Sequence, residues 1–158
     1  MSERPLPWSE SCFVCGDGNP NGLNAKFTAD EEGRVRLETV IDRKFEGYGG
    51  HVHGGVLTAL LDETAVWSVI HSLGRMCTTI QLTVTFRQPV PGGSKVVVVG
   101  QTTGRKSRFH FAKSEIRDMD NRLMATAEGR FMAMSEEVHR DVVPMLKMPG
   151  RSAVQEDI

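Results

Sequence analysis

The 158-residue chain predicts an α+β domain in which a curved antiparallel sheet wraps around one long central helix. Three observations carry this. Two short alternating segments precede a single long apolar run at helical spacing. Four alternating or β-branched segments follow it, separated by glycine, proline and Asp-Asn turns. No second helical pattern of comparable length occurs.

Residues 1–23 read as an irregular N-terminal segment, with three of the seven prolines and the turn-rich "CGDGNPNG". "LNAKFTAD" and "GRVRLETVI" read as strands, the second with Val35, Leu37 and Thr39 on one face. The loop "DRKFEGYGGH" is too glycine-rich to be regular. Residues 54–73 then place apolar side chains all round a helix, which predicts burial on most of its surface. Gly74 suits its C-terminal cap and Arg75 its dipole. "MCTTIQLTVTFRQPV" alternates Ile80, Leu82, Val84 and Phe86 toward one face. "KVVVVGQTTGR" reads as a strand buried on both faces. "RFHFAKSEIRD" and "RLMATAEGRFMAM" complete a meander through the turn "DMDN". The domain is expected over 24–134, with 135–158 as a polar, loosely packed tail. One helix cannot cover six strands, so a second subunit is expected to share or shield the sheet.

Composition excludes several classes. With 39% hydrophobic and 25% charged residues and a formal net charge of -1, no broad nucleic-acid or anionic-membrane surface is expected. Asp62 and Glu63 interrupt the most apolar run too soon for a bilayer span, and the N-terminus lacks the apolar core of a signal peptide. Three cysteines, an odd count, fit a reducing cytoplasm.

The chemistry concentrates in "HVHGGVLTALLDETAVW", His51 to Trp67. The start of a helix offers free N–H groups, and Gly54 and Gly55 let a ligand approach them without a Cβ in the way. Asp62 lies two turns inside an apolar helix, so it cannot cap and must pair or be used. Glu63 points about 100° away and reads as a salt-bridge or dimer-contact residue. His53 reads as a group that fixes the loop rather than a proton shuttle, and His51 as a loop residue.

"HGGVLTALLDE" after a glycine-rich loop, followed by a four-strand meander with "GR" at a turn, resembles the hotdog-fold acyl-CoA thioesterases of the phenylacetate-degradation type. "CFVCGDGNPNGL" is similar to an N-terminal segment of a bacterial branch of that superfamily. The resemblance covers residues 12–134. It implies a hotdog fold, a dimer or dimer of dimers with sites at subunit interfaces, and thioester hydrolysis with no metal or organic cofactor. It assigns the family's acid to Asp62, as general base or as nucleophile, and the carbonyl-polarising backbone N–H to Gly54. A water-placing hydroxyl falls on Thr79. The polar residue common six positions before the motif histidine is here Gly47, with Glu46 or Tyr48 as substitutes.

Other motifs receive blander readings. Cys12-x2-Cys15 has no second ligand pair at metal spacing and reads as a turn against the barrel edge, with no metal expected. "GDGNP", Gly16 to Pro20, echoes a hotdog enoyl-CoA hydratase motif but lacks the histidine that motif needs, and reads as an Asx-type turn. "GRKSR" sets Arg105, Lys106 and Arg108 at a strand connection. Solvated surface charge and a CoA-phosphate contact stand level there. The sequence thus points to a cytoplasmic acyl-CoA thioesterase using Asp62, Gly54, His53 and Thr79. Gly55, Arg105, Lys106 and Arg108 are expected to contact substrate. A non-catalytic acyl-CoA or acyl-carrier binding protein and a hotdog hydratase are the alternatives.

Overall fold

A computed structural model describes residues 2–150. Nine strands occur in chain order among them: β1 (Arg4–Pro5), β2 (Trp8–Ser9), β3 (Thr28–Ala29), β4 (Val35–Val40), β5 (Cys77–Phe86), β6 (Lys95–Lys106), β7 (Phe109–Asp118), β8 (Leu123–Ala133) and β9 (Leu146–Lys147). Helix α1 spans Gly54–Leu73 and the short α2 spans Glu136–Val142. The main sheet runs β1-β3-β4-β6-β7-β8-β5, antiparallel throughout, and β2 pairs with β9 beside it. Helix α1 lies across the sheet as its one long helix, the arrangement expected from the sequence.

Helix α1 is apolar because it is enclosed. Leu60, Leu61 and Ala65 are fully buried, as are the polar Thr64 and Ser68. Thr64 and Ser68 turn their hydroxyls back onto the helix carbonyls of Leu60 and Ala65. By length and hydropathy α1 could span a membrane, yet its apolar side chains pack on the sheet. Burying a Leu or Val side chain here contributes roughly 1.5–3 kcal/mol. Two contacts fix its height above the sheet. Ser114 of β7 donates to the Leu61 carbonyl at 2.8 Å. Gly100 of β6 sits so close beneath the helix that a Cβ there would lie 2.7 Å from the Thr64 carbonyl oxygen. Gly74, with φ +68°, caps the helix as expected.

Four readings need correction. "LNAKFTAD" yields only the two-residue β3, because Leu23 and Ala25 hydrogen-bond back to the Phe13 and Val14 carbonyls of the N-terminal turns. In β6 the valines alternate: Val96 and Val98 are buried, while Val97 and Val99 are half-buried on the outer face. In β5 a bulge between Thr79 and Gln81 breaks the alternation, leaving Ile80 41% exposed and turning Thr79 inward. The tail is anchored: α2 follows β8, His139 Nδ1 accepts from the Met76 N–H at 3.1 Å, and β9 pairs with β2. Its last residues, 151–158, lie outside the described part.

Gly100→Ala is expected to cost about 1–3 kcal/mol in denaturant unfolding, because backbone must move to admit the methyl group. Gly104→Ala, in the same strand with no atom within 4 Å of its Cβ position, is expected to change stability by less than about 0.5 kcal/mol.

Candidate active site

The loop before α1 is a built structure. A 3-10 turn, Arg43–Phe45, is followed by bridges pairing Glu46 with Val52 and His51 with Pro91. Gly47 N–H donates to the His51 carbonyl at 2.8 Å, and the intervening Gly49 and Gly50 both take left-handed backbone, φ +63° and +75°. This hairpin delivers His53 as the N-cap of α1. Its Nδ1 accepts from the Gly55 N–H at 2.9 Å, which ties the end of the loop to the first turn of α1. The same bond occupies Gly55, one of the expected substrate contacts. The Gly54 N–H has no acceptor among the described residues. Gly54 lines, beside the Phe86 ring, a cleft of about 430 Å³ together with His53, Tyr48, Leu57 and Val90. Phe86 shares the strand alternation of Leu82 and Val84, yet it is not enclosed. It is 53% exposed and forms a wall of this cleft instead. Tyr48 also lines the cleft, at 91% exposed, whereas the Glu46 carboxylate turns under Gly92.

Asp62 is elsewhere. Eight residues at 1.5 Å rise put it about 12 Å along the helix axis from Gly54. It is half-buried, and Thr79 Oγ1 donates to its Oδ1 at 2.8 Å. No cation lies within ion-pair distance of it among the described residues. Burial pushes its carboxyl above the usual aspartate range, and the Thr79 hydrogen bond partly opposes this. The bulge in β5 makes the contact possible, since an unbroken alternation would have put Thr79 on the outer face.

The basic turn lies at the Asp62 end. Arg105 and Lys106 close β6, Arg108 precedes β7, and all three are exposed. The register sets Phe109 beside Met132, and Met132 beside Thr78, so this turn shares the sheet end that carries Thr79. Within one chain there are therefore two groups. His53, Gly54 and the cleft form one; Asp62, Thr79 and the basic turn form the other.

Glu63 makes no salt bridge among the described residues. Its Oε1 accepts from Trp67 Nε1 at 3.1 Å and lies 3.8 Å from Cys12 Sγ. In "GDGNP", Asn19 Oδ1 accepts from the Asn21 N–H at 3.0 Å, the Asx turn expected. Asp17 faces Lys147 at 3.4 Å and not a histidine.

The model of the thioesterase superfamily matches residues 49–125, which hold the loop, α1, β5, β6 and β7. A candidate esterase of Saccharolobus solfataricus is 26% identical over 86% of this chain and 97% of its own length. An acyl-coenzyme A thioesterase of Xenopus laevis, THEM4, is 28% identical over 51% of this chain, and the match spans only 36% of that protein. Among solved structures, the thioesterase superfamily protein RHA08564 superimposes with a TM-score of 0.72 at 25% identity, covering 78% of this chain and 60% of its own. A phenylacetic acid degradation-related protein of Ralstonia eutropha gives 0.63 at 26%, covering 70% and 86%. The chain has the hotdog fold, and over residues 49–125 it is similar to the thioesterase superfamily.

Titration of Asp62 by carboxylate-resolved NMR should give a midpoint above the ordinary value of about 3.9. Thr79→Val should move it further up, because the lost hydroxyl stabilises the charged form. A downward move would contradict this account of the pair.

Proposed function

We propose that this protein hydrolyses acyl-CoA thioesters, with Asp62 as general base. The observation that carries the proposal is the Asp62–Thr79 pair: a half-buried carboxylate with no cation beside it, held through one oxygen, Oδ1. An uncompensated acid on an enclosed helix costs stability, so a chemical use accounts for it better than packing does. The likeness to the thioesterase superfamily supports thioester hydrolysis. The acyl-CoA substrate is inferred from the frog relative, whose name states that activity.

In this reading Oδ2 of Asp62 takes the proton of the attacking water while Thr79 holds Oδ1. The Gly54 N–H, at the positive end of the α1 dipole, donates to the carbonyl oxygen as it becomes an oxyanion. Protonated Asp62 then returns the proton to the departing CoA thiolate. The apolar cleft beside Gly54 takes the acyl chain, and Arg105, Lys106 and Arg108 meet the CoA phosphates. Because Gly54 and Asp62 are about 12 Å apart along the helix, one carbonyl cannot meet both within a protomer. The site is therefore composed from two subunits, Gly54 from one and Asp62 from its partner. The free edge of β5 and the exposed Phe86 are surfaces such a dimer would cover. The enzyme works in the cytoplasm, where its thiols stay reduced.

Asp62→Asn should lower thiol release from acyl-CoA by about 10²–10⁴-fold with the oligomer unchanged. Unaltered turnover would remove Asp62 from the reaction. Gly54→Pro deletes the N–H and sets ring atoms beside Phe86, whose nearest carbon would lie 3.3 Å from the added Cβ; the backbone tolerates it, since proline suits the first helical position and His53 before it is already extended at ψ 134°. It should lower kcat by about 10²–10³-fold with a native thermal transition. A loss confined to KM would contradict the oxyanion role.

A further inference from the structure

Cys12 and Cys15 meet Glu63 across a long sequence separation. One ligand atom from each, two Sγ and a carboxylate oxygen, all lie within 4.8 Å of one another. The turn that carries the cysteines is shaped around Cys12 sulfur. Val14 N–H and Cys15 N–H both point at it, at 3.3 and 3.4 Å, and Gly16 N–H closes on the Cys12 carbonyl at 3.0 Å. A Cβ at Gly16 would lie 2.5 Å from that carbonyl oxygen, so the turn requires glycine there. N–H donors aimed at sulfur favour the thiolate, the form that binds metals. The thiols are also free rather than joined.

The surroundings suit an ion. Cys15 is 2% exposed, and no lysine or arginine pairs with Glu63 among the described residues. Three groups able to carry negative charge thus stand together, and the neighbouring cation, Lys26, donates to the Cys15 carbonyl rather than to any of the three ligand atoms. Hydrogen bonding from the Cys15 thiol, with the two backbone N–H groups, draws Cys12 down to about 5, while Cys15 is pushed up. Burial, with Cys12 beside it, lifts Glu63 to about 7. Protons hold the cluster together where a cation could. A tetrahedral zinc ion with roughly 2.3 Å bonds to sulfur and 2.0–2.2 Å to oxygen spaces its ligands about 3.5–3.8 Å apart. The Cys12 Sγ to Glu63 Oε1 distance is 3.8 Å.

We propose that Cys12, Cys15 and Glu63 bind one zinc ion, with water as fourth ligand, clamping the N-terminal segment onto α1. Two thiolates select a soft or borderline cation, and the carboxylate favours zinc over copper(I). Thiolates and a carboxylate bind metal only when deprotonated, so affinity rises with pH. The site is independent of the hydrolase reading, although Glu63 adjoins Asp62 in sequence.

The test uses the reduced full chain, stripped by chelator and titrated with Zn²⁺ and separately with Co²⁺. One equivalent of either ion is expected per chain, with a thiolate-to-cobalt charge-transfer band. Cys15→Ser should abolish the band. Glu63→Gln, which keeps both thiols and the size of the side chain, should keep the band and weaken affinity about 10–100-fold. Cys77→Ser should leave both unchanged. A folded, reduced protein that takes up neither ion overturns the proposal. Full-affinity uptake by Glu63→Gln, or a band that survives in Cys15→Ser, assigns the metal elsewhere and overturns it too.

Discussion

Enclosure of α1 by the sheet governs the rest of this molecule. A helix packed this way must be apolar on most of its circumference, and its few polar residues must be satisfied within the fold. Thr64, Ser68 and Ser114 meet that demand with short hydrogen bonds to helix carbonyls. Asp62 and Glu63 meet it only in part. Each accepts one good hydrogen bond, from Thr79 and Trp67, and each is shifted toward its neutral form by burial. The two costly places on the helix are the two places where chemistry is proposed.

The sheet is what separates their roles. The bulge at Ile80 turns Thr79 toward Asp62. The N-terminal turns, held by the Leu23 and Ala25 hydrogen bonds, bring Cys12 to Glu63 on the other side. At the start of the helix, the His53 cap consumes the Gly55 N–H and leaves the Gly54 N–H available. A rigid helix then sets a fixed spacing between donor and acid. That spacing, rather than any single contact, is the ground for proposing a site shared between subunits.

Much of this was legible in the sequence. The bounds of α1, its glycine cap and the four-strand meander follow from spacing and turn chemistry, which are local. The position of His53 at the start of α1 was legible for the same reason. Thr79 was singled out through family resemblance as a water-placing hydroxyl, and its contact with Asp62 was not foreseen, because the strand alternation alone points Ile80 inward and a bulge leaves no signature there. The anchored tail depends on pairing between Trp8–Ser9 and Leu146–Lys147, which no local pattern announces. Cys12-x2-Cys15 read as an unpartnered turn because its third ligand, Glu63, comes from a distant helix. Only its trailing Gly16, forced by close backbone approach, was a visible sign of a tight thiolate turn.

The central claim is that Gly54 of one subunit and Asp62 of another act on the same carbonyl. Mixing the inactive Asp62→Asn and Gly54→Pro proteins, with subunit exchange, tests it most directly. In a mixed dimer one site combines the intact Gly54 of the first chain with the intact Asp62 of the second. Random exchange should then restore about a quarter of wild-type activity, since half the dimers are mixed and each has one good site of two. No recovery after demonstrated exchange would contradict the shared site.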